Sequence, residues 1–196
     1  VRNILKKPSQ IAAVLAATGL GPDAVAPGGA DGTGVSGGGG LATVQQVLTF
    51  KNVVVPLIDN AGVGAHGFFD FFTFAAGQIN IVGCVANLAI TKSSAGVNAD
   101  WDGDFGVGSV ACDNSATLTS TEQNIIPSTS TPQAVAGVTS AKGKLLTAAL
   151  LDGSITPVKM FLNVLVDDAD QDVTTTPCNL IFNGTVTVTF NNNGVA

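Results

Sequence analysis

The sequence predicts an all-β, jelly-roll-like β-sandwich preceded by an extended N-terminal arm that carries one short helix. Three observations lead there. From Leu41 onward apolar residues recur at every second position, as in TVTVTF at 185–190, the period of a strand with one buried face. Turn-forming clusters (DNAG, SSAG, DNS, PSTSTP, DGS, DDADQD) cut this region into short segments, the spacing of a sandwich or jelly roll. Helical spacing occurs once, near the N-terminus.

That helix comes first. Ile11, Val14, Leu15 and Thr18 stand at i, i+3, i+4 and i+7, and Gly19 follows as a stop, so residues 9–18 read as an amphipathic helix. It is shorter than the ~12 residues at which an isolated helix becomes even marginal, so it forms only when docked. Residues 19–40 alternate Gly and Pro with small residues, the chemistry of a tether. The organisation is therefore an arm over 1–40 and a sandwich over 41–196.

Strands are expected at 44–50, 52–58, 68–74, 82–90, 100–110, 134–140, 144–151, 159–166 and 185–190. Val82, Cys84, Ala86, Leu88 and Ile90 share one face, as do Met160, Leu162, Val164 and Val166, and Val186, Val188 and Phe190 point inward. In FFDFFTF, Phe68, Phe69, Phe71 and Phe72 crowd both faces of one strand. Such a strand lies between layers or at a subunit interface. His66 falls in a glycine-rich hairpin turn, NAGVGAHG.

Composition narrows the function. The chain is 45% hydrophobic and only 11% charged, against about 25% in a typical domain. The apolar runs at 11–18 and 79–90 fall short of the ~20 residues a membrane-spanning helix needs, so a membrane partner is not expected. A surface covered by other protein in a permanent assembly accounts better for so little charge. Arg2, Lys6 and Lys7 before IAAVLAA imitate a secretory signal, but Pro8 and the weak apolar stretch argue against one. A net charge of −6 removes the basic footprint that nucleic-acid binding requires. Cys84, Cys112 and Cys178 are odd in number and lack CxxC spacing, so they read as reduced and buried.

Two motifs need weighing. In VNADWDGDFGVG, Asn98, Asp100, Asp102 and Gly103 occupy positions 1, 3, 5 and 6 of a calcium loop, but position 12 is Ser109 and no helix flanks it. Read as a strand, the stretch turns Trp101, Phe105 and Val107 inward and Asp100, Asp102 and Asp104 outward. Carboxylates two apart on a strand lie ~6.6 Å from each other, so an ion would need a second segment. Asp167, Asp168, Asp170 and Asp172 offer one, which makes Asp100, Asp102, Asp168, Asp170 and Asp172 the calcium candidates. Solvated charge and turn chemistry is the preferred reading, and no cofactor is expected. The second motif, G-V-S-G-G at 34–38, matches a nucleophile elbow in letters alone. Glycines surround Ser36 where a strand and a helix belong, and His66 is the sole candidate base. An enzyme is not expected. Asn183-Gly-Thr185 fits a glycosylation acceptor, which matters only in a secreted chain.

The run LAITKSSAGVNADWDGDFGVGSVACDNSATLTSTEQNIIPSTSTPQAVAGVT at 88–139, the acidic stretch at 167–174 and the closing NGTVTVTF resemble segments of small structural proteins of tailed bacteriophages. The resemblance covers roughly residues 50–190. It implies a head decoration or cement protein, a jelly roll bound to the major capsid protein on the outer surface of the virion, clamping neighbouring capsomers. It brings no catalytic residues. On this reading Ile11, Val14, Leu15, Phe68, Phe69, Phe71 and Phe72 are interface candidates, the arm reaches a neighbour, and a homotrimer suits local threefold positions. The rival reading is a calcium-dependent carbohydrate-binding or adhesin module, against which stand the absence of tyrosine and a single, inward tryptophan.

Overall fold

The computed structural model describes residues 43–60, 62–113, 116–171 and 178–194; the arm over 1–40 lies outside them. The described residues form ten strands: β1 Thr43–Pro56, β2 Ile58–Asp59, β3 Ala65–Thr73, β4 Gly77–Lys92, β5 Gly103–Gly108, β6 Ile126–Thr131, β7 Val138–Lys144, β8 Ala149–Gly153, β9 Lys159–Val166 and β10 Asn179–Asn192. They pair antiparallel in two sheets. Sheet A runs β1-β10-β4-β7, with β8 also on β4, and sheet B runs β2-β3-β9-β5-β6. β7 pairs with Val85–Thr91 and β8 with Gly77–Ile81, so the two are one interrupted strand along a single edge of β4. With β2 counted as the approach to β3, eight strands cross between the sheets at every step but β5 to β6, so that first lies beside last in one sheet and β3 beside β9 in the other. That winding is the double Greek key of a jelly roll.

Alternation decides the core. Val186, Val188 and Phe190 of β10 and Met160, Leu162, Val164 and Val166 of β9 are buried between the sheets, as their period of two requires. Phe74 packs edge-on against Phe72 at 4.9 Å and Phe190 at 4.8 Å, while Phe50 takes Phe71 at 5.3 Å and Phe69 at 6.0 Å between centroids. These are the favoured edge-to-face geometries. Trp101 is fully buried and its indole N–H donates to the Gly137 carbonyl at 3.2 Å, so the one polar atom of that ring is satisfied.

The structure corrects several expectations. Residues 44–50 and 52–58 are largely one strand, β1, which a bulge at Lys51 and Asn52 bends. Val82 does not share the inward face of Cys84, Ala86, Leu88 and Ile90. Thr189 pairs with Gly83 and Phe190 with Ile81, leaving Val82 as an extra, exposed residue. The bulge inverts the phase, so Ile79 and Ile81 supply the core beyond it. PSTSTP is not a turn but lies almost wholly in β6. Its hydroxyl-rich side chains suit a short strand at the rim of sheet B. β5 begins only at Gly103, although Trp101 and Phe105 are inward as expected. His66 belongs to β3 rather than to the turn, and is buried.

Candidate functional site

The two acidic segments meet. Asp102 donates its backbone N–H to Oδ2 of Asp170 at 3.0 Å, and Asn98 donates its own to the Asp170 carbonyl at 2.9 Å. The Asn98 amide reaches the Ala169 carbonyl at 2.9 Å and Oδ1 of Asp170 at 3.4 Å, and Val97 bridges to Gln171. The segment after β4 and the 3-10 turn Asp168–Asp170 after β9 are thus latched, with both Asp170 oxygens accepting from Asn98 or Asp102. Asp104 accepts from the Ser130 hydroxyl at 2.8 Å. Asp167 is crowded: partial burial, then Asp102, Asp170 and Asp104, raise its carboxyl above the usual range. Asp100 is exposed in the turn before Trp101. Asp172 and the side chain of Asp168 lie outside the described residues. Among the described residues no group of three or more His, Cys, Asp or Glu side chains is placed to hold a metal ion.

A second polar cluster lies under residues 109–113 and 116–125, which cover the outer face of sheet B. Glycine makes this possible. On the outward side of β5, a β-carbon at Gly106 would meet the Leu118 side chain at 2.8 Å, and one at Gly108 would overlap the backbone of Thr121 and Glu122. The covering segment is held by Asn163, fully buried on β9. Its Oδ1 accepts the Cys112 N–H at 3.0 Å, and its Nδ2 donates to the carbonyls of Val110 at 3.0 Å and Glu122 at 2.7 Å. Glu122 is buried as well, and its carboxylate accepts the N–H groups of Asp113 at 3.1 Å and Thr119 at 2.5 Å. Cys112, Leu118 and Leu165 close a small apolar cluster beside them.

Beneath this segment His66 bonds through Nδ1 to Oδ1 of Asn60. Burial lowers its pKa against the opposing pull of Asp113 and Glu122. Cys112 donates its thiol to the Gly67 carbonyl at 3.2 Å, and burial pushes that thiol up to about 12, as it does Cys84. Both stay protonated, the inert state of structural cysteines. Glu122 and Asn163 escaped the sequence reading. A signal for Glu122 was present, since Thr119-Ser-Thr-Glu122 has capping-box spacing. Nothing marked Asn163 except polarity inside an apolar strand.

Of the interface candidates, Ile11, Val14 and Leu15, like Ser36, fall outside the described residues. Phe68 is 40% exposed on the outer face of sheet B, edge-on to Phe161 at 6.3 Å. Phe69 and Phe71 pack against the core, and Phe72 is within it.

The outer face of sheet A is a third region. Cross-strand rows read Val54, Ile181, Thr91, Val138; then Thr49, Thr185, Asn87, Lys142; then Val47, Thr187, Val85, Lys144. Val47, Val54, Val85 and Val138 are 43 to 55% exposed. Among the described residues the charges on this face are Lys51, Lys142 and Lys144, with Asp152 at one corner. No described helix is long and apolar enough to cross a membrane.

No protein-family model matches the chain, and no curated protein matches it.

Proposed function

We propose that this chain is a structural virion protein, a decoration or cement protein that binds the major capsid protein on the outer surface of a tailed-phage head and stabilises contacts between capsomers. The observation that carries the reading is the outer face of sheet A, where β1, β4 and β7 expose valines around the threonines of β10, with almost no acid among the described residues. In a chain of net charge −6 that is a segregated surface, and exposed apolar patches rimmed by polar groups mark protein contacts. The jelly roll agrees, being common in viral capsid proteins, although it also serves lectins and a fold alone does not fix function. The resemblance at 88–139 points to the same role. Burial of this face on a capsomer would contribute ~25 cal/mol per Å² of apolar area.

Heads assembled with and without the protein test the proposal. Protein added back should cosediment with heads and raise their resistance to heat, and Val85→Asp with Thr187→Asp should abolish both while the purified variant still melts cooperatively. Recovery of the protein in the tail fraction of disrupted virions, or heads unchanged by its removal, overturns the reading.

The calcium-dependent carbohydrate-binding or adhesin module draws on one observation, the meeting of the acidic segments. Against it, both oxygens of Asp170 already accept protein N–H groups. We therefore take the acidic junction as a latch between loops.

A further inference from the structure

The four strand edges of the sandwich differ in how they are guarded. β2 is two residues long and ends in Asp59. β6 carries Pro127 and packs against β7. The β7 and β8 edge is interrupted at 145–148 and bears Lys142 and Lys144. β1 is different. Among the described residues it is paired on one side only, by β10. Its second half is protected by Lys51, the bulge and Pro56 and runs close to Gly67 of β3, while at the end of the first half the inward ring of Phe50 meets Phe69 and Phe71. Its first half, TVQQVLTF at 43–50, has no charge, no proline and no bulge. Proteins normally blunt such an edge with one of those devices, because a free row of N–H and C=O groups is a template for another strand.

We infer that the free edge of β1 is a self-association surface that pairs antiparallel with β1 of a second copy about a two-fold axis. An edge strand is complementary to another edge strand by its backbone alone, and among the described edge strands β1 offers the long uncharged run. Side chains directly opposite must share a face. The register spanning 43–51 places Val47 opposite Val47 of the second copy and Gln45 opposite Thr49 on the outer side. Gln46 then faces Leu48, and Val44 faces Phe50, on the inner side. Val44 and Leu48 are half-buried at the rim of the core, so pairing would cover them and join the two A sheets into one. Strand pairing of an edge with itself closes on a dyad, so this contact is a dimer rather than the threefold ring expected from the sequence. It does not depend on the capsid reading.

Sedimentation equilibrium of the full chain at micromolar concentrations tests it. The expected mass is twice the 19.5 kDa of the chain. Val47→Lys puts like charges directly opposite and should raise the dimer dissociation constant on the order of tenfold to a hundredfold. Gln45→Lys should weaken it in the same direction. Val85→Lys, on the same outer row but two strands away, should leave the dimer intact. Amide exchange at 43–50 should slow as concentration rises, and the melting curve of each variant checks its fold. A monomeric wild-type chain, a dimer indifferent to Val47→Lys, or one lost equally in Val85→Lys overturns the inference.

Discussion

Replacing Asn163 by leucine tests whether the segments at 109–113 and 116–125 are part of the folded unit or a covering laid on it. The leucine fills nearly the same volume, so the change is chemical rather than steric. Three hydrogen bonds disappear: the one accepted from Cys112 and the two donated to Val110 and Glu122. At a net ~1 kcal/mol each the loss is about 3 kcal/mol. Left in place, the orphaned backbone groups would cost about 1–3 kcal/mol apiece. The segment can avoid that by lifting into water, at the expense of the Cys112, Leu118 and Leu165 contacts. The expected result is therefore a fall of about 3 kcal/mol in urea unfolding, with amide exchange at 116–125 accelerated far beyond that of β9. A loss under about 1 kcal/mol with that segment still protected would refute the reasoning, because it would mean the Asn163 bonds contribute little beyond what water offers.

Two further outcomes follow from the acidic junction. The Asp167 carboxyl titrates above its ordinary value in the folded chain, so the folded state holds that proton more tightly than the unfolded state. The stability this contributes is fully present below the unfolded pKa and is lost as pH rises through the folded one. Asp167→Asn should accordingly gain roughly a few tenths of a kcal/mol at neutral pH, little because the group is mostly exposed and screened, and gain nothing near pH 3; equal gains at both pH values, measured by urea unfolding, would contradict this. Calcium and EDTA should leave the melting temperature unmoved, since Asp170 already accepts from Asn98 and Asp102; a clear rise with calcium would favour the binding-module reading.

The amino-acid sequence by itself determined the class of fold and most of the core. Period-two alternation placed Met160, Leu162, Val164, Val166, Val186, Val188 and Phe190 correctly, because a strand between two layers has only two faces and burial chooses one. It also turned Trp101 and Phe105 inward, which removed the aromatic platform a sugar-binding reading needs. Alternation failed at Val82, where one extra residue reversed the phase, and at β6, whose hydroxyl-rich strand carries turn-like letters. Both depend on the neighbouring strand, β10 at Val82 and β5 at β6, and pairing partners are not written in a local window.

Only the tertiary structure decided which distant groups meet. The Asp100 to Asp104 and Asp167 to Asp170 segments are joined because β5 begins beside the end of β9, Gly103 pairing with Val166, and that pairing converts a row of carboxylates into a latch closed by backbone N–H groups. Asn163 became a keystone because residues 109–113 and 116–125 fold back over β5 and β9, which the bare glycines at 106 and 108 permit. The unguarded edge of β1 is likewise a property of topology. TVQQVLTF is an ordinary amphipathic strand until the winding of the sheets puts it outermost among the described residues, paired on one side only, by β10.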